Sequence, residues 1–137
     1  MKSIYTAIVH GDKVGVTTSD NQLNVPLGLP VEMGGDGVSG TNPEQLFAAA
    51  YIACFTGTLG LVAGKRRIKL AELPRATCSC ALVKAAEGPG YVFAVELKVE
   101  LPGLDDSTRE QLVAEADQLC PVSNTLRGQS QVSVIHH

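Results

Sequence analysis

The sequence predicts an α+β fold in which antiparallel sheets pack around one apolar central helix. Three observations predict it. The periodic segments run in the order β-β-β-α-β-β-α-β, nineteen consecutive residues from Leu46 to Gly64 carry no charge, and tight turns join the strand-length segments. At 137 residues the chain is read as a single domain, 1–137, hiding roughly two thirds of its extended-chain surface.

Tyr5 to His10 and Val14 to Thr18 read as short strands around a Gly11-Asp12 turn, and Ser19-Asp20-Asn21 leads into a third, Gln22 to Val25. Pro26 to Gly40 is rich in glycine and proline and reads as a loop. It contains Gly34-Gly35-Asp36-Gly37, but with no Lys-Ser/Thr ending and no strand feeding it directly, it reads as a mobile lid or connector and not as a phosphate cradle.

The first long helix has a clear start. Asn42 can cap it, Pro43 suits its first position, and the Glu44 carboxylate is favoured in its first turn. It runs to about Ala63, where Gly64 and Lys65-Arg66-Arg67 close it. The charge-free stretch is long enough to span a membrane. Its three glycines, two threonines and five alanines make it only mildly apolar, so it is read as a buried core helix.

Two strands follow, Arg75 to Lys84 and Tyr91 to Leu101, around the Glu87-Gly88-Pro89-Gly90 turn. A second helix opens at Ser107, where Ser-x-x-Glu to Glu110 forms a capping box, and Pro121 stops it after Leu119. Val122 to Arg127 reads as a short further helix and Gln131 to His136 as a last strand.

Composition excludes several classes. The net charge is −3, the basic residues are scattered apart from Lys65-Arg66-Arg67, and aromatics are few, so no nucleic-acid partner is expected. The first residues, Met1 to Thr6, contain no apolar core of a signal peptide. Four cysteines are too sparse for a disulfide scaffold, which points to thiols kept reduced in the cytoplasm. No Gly-x-Ser-x-Gly supports serine-histidine catalysis.

Chemistry therefore rests on the cysteines. Cys78 and Cys80 alternate on one strand and share an apolar face with Ala76 and Leu82, so they read as small core residues. A zinc site built from them would have to recruit His136 or His137, and no metal is expected. Cys120 caps the short helix that Pro121 begins, where a helix N-terminus favours a thiolate. On these electrostatics Cys120 is the better nucleophile. Cys54 lies ten residues inside its own helix, so any lowering of its pKa has to come from a cation folded against it. Glu44 stands about 80° around the helix from Cys54 and about 15 Å along it. It cannot touch Cys54 but can order a cation that does.

Gly40-Thr41-Asn42-Pro43-Glu44-Gln45-Leu46-Phe47-Ala48-Ala49 with Ala53-Cys54-Phe55, and Cys120-Pro121-Val122-Ser123-Asn124 with Arg127, resemble the two motifs of the OsmC/Ohr family of organic hydroperoxide reductases. The resemblance takes in Tyr5-Thr6-Ala7, Ser19-Asp20, Leu23-Asn24-Val25 and Leu101-Pro102-Gly103-Leu104, and so essentially the full length. It mixes branches. Gly-Thr-Asn-Pro-Glu-Gln-Leu-Phe resembles the organic hydroperoxide resistance branch, while Cys-Pro-Val-Ser and Pro-Gly-Leu-Asp-Asp-Ser-Thr resemble the osmotically inducible one.

The resemblance implies an intertwined homodimer with active sites at the interface, no cofactor, and a peroxidase in the cytoplasm. It also reverses the electrostatic ranking. Cys54 becomes the peroxidatic thiolate, and Cys120 the resolving thiol that closes a Cys54–Cys120 disulfide, reopened by a dithiol reductant of lipoyl type. An apolar surround for Cys54 suits fatty or aryl hydroperoxides. One departure stands out: family members pair the counterpart of Glu44 with an arginine from the N-terminal strand region. Here Val9 to Gly15 contains none. Lys13 and Arg127 are the candidate activating cations, and a lysine lacks the forked donor that bridges a carboxylate and a thiolate. The alternative function is a non-enzymatic redox-sensing or small-ligand-binding module on the same fold.

Overall fold

The computed structural model describes residues 2–136, so Met1 and His137, the latter among the metal-ligand candidates above, lie outside it. The chain forms two compact units, Met1–Leu46 and Phe47–His137.

The first unit holds a three-stranded antiparallel sheet, β1 (Val9–Gly11), β2 (Gly15–Thr18) and β3 (Asn24–Pro26), in the order β1-β2-β3. These strands are shorter than the sequence suggests because side chains take over the turns. The Asp12 carboxylate accepts from Val14 N–H at 2.8 Å, Asp20 accepts from Gln22 N–H at 3.0 Å, and the Thr18 hydroxyl accepts from Leu23 N–H at 3.0 Å. The loop that follows holds a single 3-10 turn, Val31–Met33, and returns so that Thr41 bridges in parallel to Leu27. Gly40 permits that return, since a Cβ there would strike the Pro26 carbonyl.

Helix α1 (Pro43–Lys65) begins as expected, with the Asn42 side chain accepting from Gln45 N–H at 2.9 Å. It ends two residues later than expected, and not at Gly64. Arg67 adopts the left-handed conformation at φ 56°, while Ile68 N–H bonds to the Ala63 carbonyl and Arg67 N–H to that of Gly64. This is a Schellman closure with arginine where glycine is usual.

In the second unit, β4 (Arg75–Lys84) and β5 (Tyr91–Glu100) form an antiparallel hairpin running from Arg75↔Glu100 to Lys84↔Tyr91. Alternation turns Ala76, Cys78 and Cys80 inward with Val95, Leu97 and Val99, the apolar face expected of these cysteines. The core is built from Tyr51, Phe55, Leu59 and Val62 of α1, joined by Leu101, Leu112, Ala116 and Cys120. By length and composition α1 could cross a membrane, yet this stripe is packed inside the unit. Ala49, Ala53, Gly57 and Gly60 are exposed on the helix's other side.

Helix α2 (Asp106–Leu119) is capped by Asp105, and not by the Ser107–Glu110 box. Asp105 accepts from both the backbone N–H and the hydroxyl of Thr108, at 2.8 and 2.9 Å. The backbone bond, then the hydroxyl, holds its carboxyl below the ordinary carboxylate range. Helix α3 (Pro121–Leu126) follows directly, with Cys120 as the hinge residue between the two. No strand forms over 131–136, and Val132, Val134 and Ile135 are exposed. Alternating apolar residues make a strand only against an edge, and no strand of this chain takes the segment up.

Candidate active site

Cys54 and Cys120 come together where α1 meets the start of α3. Both are free thiols. Cys54 is half-buried and Cys120 wholly so. Cys54 packs against the core cluster that contains Cys120, and the Val122 backbone N–H and the Cys120 thiol are the neighbours that act on its ionisation. Burial pushes the Cys54 thiol above its ordinary pKa. The Val122 N–H works against this, and the Cys120 thiol adds to it. The net effect keeps Cys54 protonated more than a solvent-exposed cysteine.

The Val122 donor was not anticipated. Reasoning from the helix end gave its benefit to Cys120, but the Cys120 side chain makes no capping bond. Pro121 has no N–H, so the first free donor of α3 belongs to Val122, and it faces the neighbouring helix. The proline in Cys-Pro-Val was the signal available in the sequence.

Two side-chain clamps fix α3. Toward α2, the Arg127 guanidinium pairs with the Asp117 carboxylate and donates to the Asp117 carbonyl at 3.0 Å and the Asn124 side chain at 3.1 Å. Asn124 in turn donates to the Gln118 carbonyl at 3.0 Å. Arg127 thus ties α3 to α2 and is not among the groups acting on Cys54. Toward α1, the Tyr51 and Ser123 hydroxyls meet at 2.7 Å in a buried contact that sequence reasoning missed, although Ser123 lies in the second quoted motif.

Of the other candidates, Glu44 is half-exposed in the first turn of α1, with no ion-pair partner among the described residues. Lys13 is exposed in the turn between β1 and β2. Cys78 packs against the core of the second unit, where burial raises its pKa. Among the described residues, no three His, Cys, Asp or Glu side chains gather as a metal-ligand group. An apolar cavity of about 530 Å³ lies between α1, β5 and α2, lined by Tyr51, Phe55, Leu97, Val99 and Val113 among others. Cys54 is not part of its wall.

Residues 34–135 match the family model described as OsmC-like protein, a span that includes both cysteines and the elements that carry them. The chain belongs to the OsmC/Ohr family. An organic hydroperoxide resistance protein of Xanthomonas axonopodis pv. citri is 40% identical over 136 residues, covering 97% of this OsmC/Ohr chain and 94% of that relative. The crystal structure of an organic hydroperoxide resistance protein OsmC from Legionella pneumophila has 40% identity and a TM-score of 0.84, covering 93% of each chain. That of OhrB from Bacillus subtilis has 33% identity and a TM-score of 0.80, covering 92% of this chain and 93% of its own. The α+β architecture expected from the resemblance is therefore the OsmC/Ohr one.

Proposed function

We propose that this chain is a cysteine-based peroxidase that reduces organic hydroperoxides to alcohols, with residues 1–137 acting as one OsmC/Ohr-like domain. In the first step the Cys54 thiolate attacks the hydroperoxide's terminal oxygen. An S–O bond forms, the O–O bond breaks, and the departing alkoxide is protonated to the alcohol. In the second, the Cys120 sulfur attacks the Cys54 sulfenic acid, an S–S bond forms, and hydroxide leaves as water. A dithiol of lipoyl type then exchanges with the disulfide, restoring both thiols and leaving with its own disulfide.

The observation that carries this reading is the proximity of the Cys54 and Cys120 thiols, 66 positions apart in sequence, in a chain with relatives named for organic hydroperoxide resistance. In it Glu44 orders the activating cation, for which Lys13 is the first candidate, the other one, Arg127, being held by Asp117 and Asn124. The peroxidase works without metal or cofactor in the cytoplasm, with neither a membrane nor nucleic acid as partner. Homodimerisation is supported by the exposed small-residue side of α1, where a Cβ added at Gly57, Gly60 or Gly64 would meet nothing within 4 Å, and by the exposed apolar residues of 131–136.

The test is intact mass and thiol count after one equivalent of cumene hydroperoxide, then of hydrogen peroxide. Fast loss of two thiols with a peptide linking Cys54 to Cys120 supports the proposal, and Cys54→Ser must abolish it. A second reading, a slowly oxidising sensor or ligand-binding module, is favoured by the raised Cys54 pKa and the missing arginine. Slow loss from Cys54 with either peroxide would select it.

A further inference from the structure

We propose that Tyr51 and Ser123 are positioning residues for the thiol pair: their buried hydrogen bond seats the first turn of α3 on α1, so that Val122 N–H and Cys120 reach Cys54. The inference rests on the peroxidase reading and names how its site is held. Tyr51 precedes Cys54 by three residues, so both side chains leave α1 on neighbouring sides of adjacent turns. Ser123 adjoins Val122 and follows Cys120 by three. One hydroxyl contact of 2.7 Å thus lies one residue from Val122 and three from Cys120, the two groups that act on the Cys54 thiol.

The pair is rigid and costly to bury. The Tyr51 ring packs edge-on against Phe47 and Phe55, with centroids 6.4 and 6.1 Å away, which fixes the direction of its hydroxyl. Tyr51 is 8% and Ser123 2% exposed. Phenylalanine and alanine would fill these places with no polar atom to satisfy, so two mutually satisfied hydroxyls contribute direction more than stability. Among the described residues, the other side-chain bonds of α3 run back to α2, through Asn124 and Arg127. Tyr51–Ser123 is the side-chain bond that sets α3 against α1 beside the thiols.

The experiment begins with the parent protein, cumene hydroperoxide and the Cys54→Ser control. A parent that forms no Cys54 sulfenic acid refutes the peroxidase reading, and the positioning role with it. With a reactive parent, rapid-quench mass spectrometry follows sulfenic acid formation and disulfide closure separately. Variants are Tyr51→Phe, Ser123→Ala, their double, and Ser123→Thr. Closure is expected to slow on the order of tenfold in each single hydroxyl deletion. The double should be no slower than the singles, since both remove one bond. Ser123→Thr keeps the hydroxyl and should stay near the parent. The pH profile of Cys54 alkylation should also move in the deletions, because Val122 and Cys120 shift against Cys54 together. Unchanged closure and profile in folded Ser123→Ala would overturn the proposal, as would additive losses that follow melting temperature alone. If Tyr51→Phe does not fold, Ser123→Ala against Ser123→Thr decides.

Discussion

The Val122 backbone N–H favours the ionised form of the Cys54 thiol, so in the peroxidase reading the group that helps the nucleophile comes from the helix that follows the second cysteine. The two halves of the chemistry are therefore mechanically joined. Any shift of α3 moves the Cys54 donor and the Cys120 thiol together.

Burial outweighs that donor, and the pH dependence follows from the sign. A thiol whose pKa is raised is mostly protonated at neutral pH, so Cys54 alkylation should climb with pH and reach its plateau above the range of an ordinary cysteine. Iodoacetamide rates read by intact mass across pH 6 to 11 (a range of about five units around the thiol pKa) test this. A plateau at neutral pH would contradict it.

Cys120 is one of the groups raising that pKa. Cys120→Ala should move the Cys54 alkylation profile to lower pH, although it removes a cysteine outright. In the peroxidase reading the same variant stops after one turnover with a sulfenic acid that dimedone traps. A profile moving upward would mean that Cys120 assists Cys54 ionisation.

Arg127 binds Asp117 and Asn124, so its loss should act on the α2–α3 joint. Both partners of the ion pair are partly exposed, which limits the cost to about 1 kcal/mol or less. Arg127→Ala should lower the melting temperature by a few degrees and leave sulfenic acid formation at the parent rate. Loss of that first step in folded Arg127→Ala would make Arg127 the activating cation.

Lys13 is then the cation to test. Lys13→Ala should slow sulfenic acid formation without shifting the melting temperature, because the side chain is exposed in a turn. Lys13→Arg should restore or exceed the parent rate, since the guanidinium supplies the fork that lysine lacks. Equal rates in all three proteins would remove Lys13 from the site.

Leu59 has no exposed surface and sits in the middle of the α1 stripe. Leu59→Ala should destabilise the protein by about 2–5 kcal/mol, transfer and cavity terms together. Denaturant midpoints measure it. A loss below about 1 kcal/mol would show that the core collapses around the smaller side chain.

Where local chemistry decides, the chain was legible. Asn42-Pro43-Glu44 announced α1, the Glu87–Gly90 turn announced the β4–β5 hairpin with β4 at its observed bounds, and Cys120-Pro121 announced α3. Ser107 fits a cap by sequence, but Asp105 takes that place and accepts from Thr108 N–H, a bond that depends on the path of the chain entering α2. The strand expected over 131–136 depends on a partner edge, which no alternation of its own residues can supply. The family could be read from the motifs around the two cysteines. The Val122 donor and the Tyr51–Ser123 bond join positions about seventy residues apart, so only the fold brings them to light.

In the peroxidase reading, the unequal burial of the two cysteines gives the cycle a direction. Cys120 has no surface, whereas Cys54 keeps some. In a Cys54–Cys120 disulfide, an incoming dithiol can meet only the Cys54 sulfur, so the mixed disulfide forms there and Cys120 is always the leaving thiol. Reductants are thus selected by their approach to one atom. A bulky monothiol that stalls at Cys54 would poison the enzyme, while a tethered dithiol carries its second thiol with it and departs.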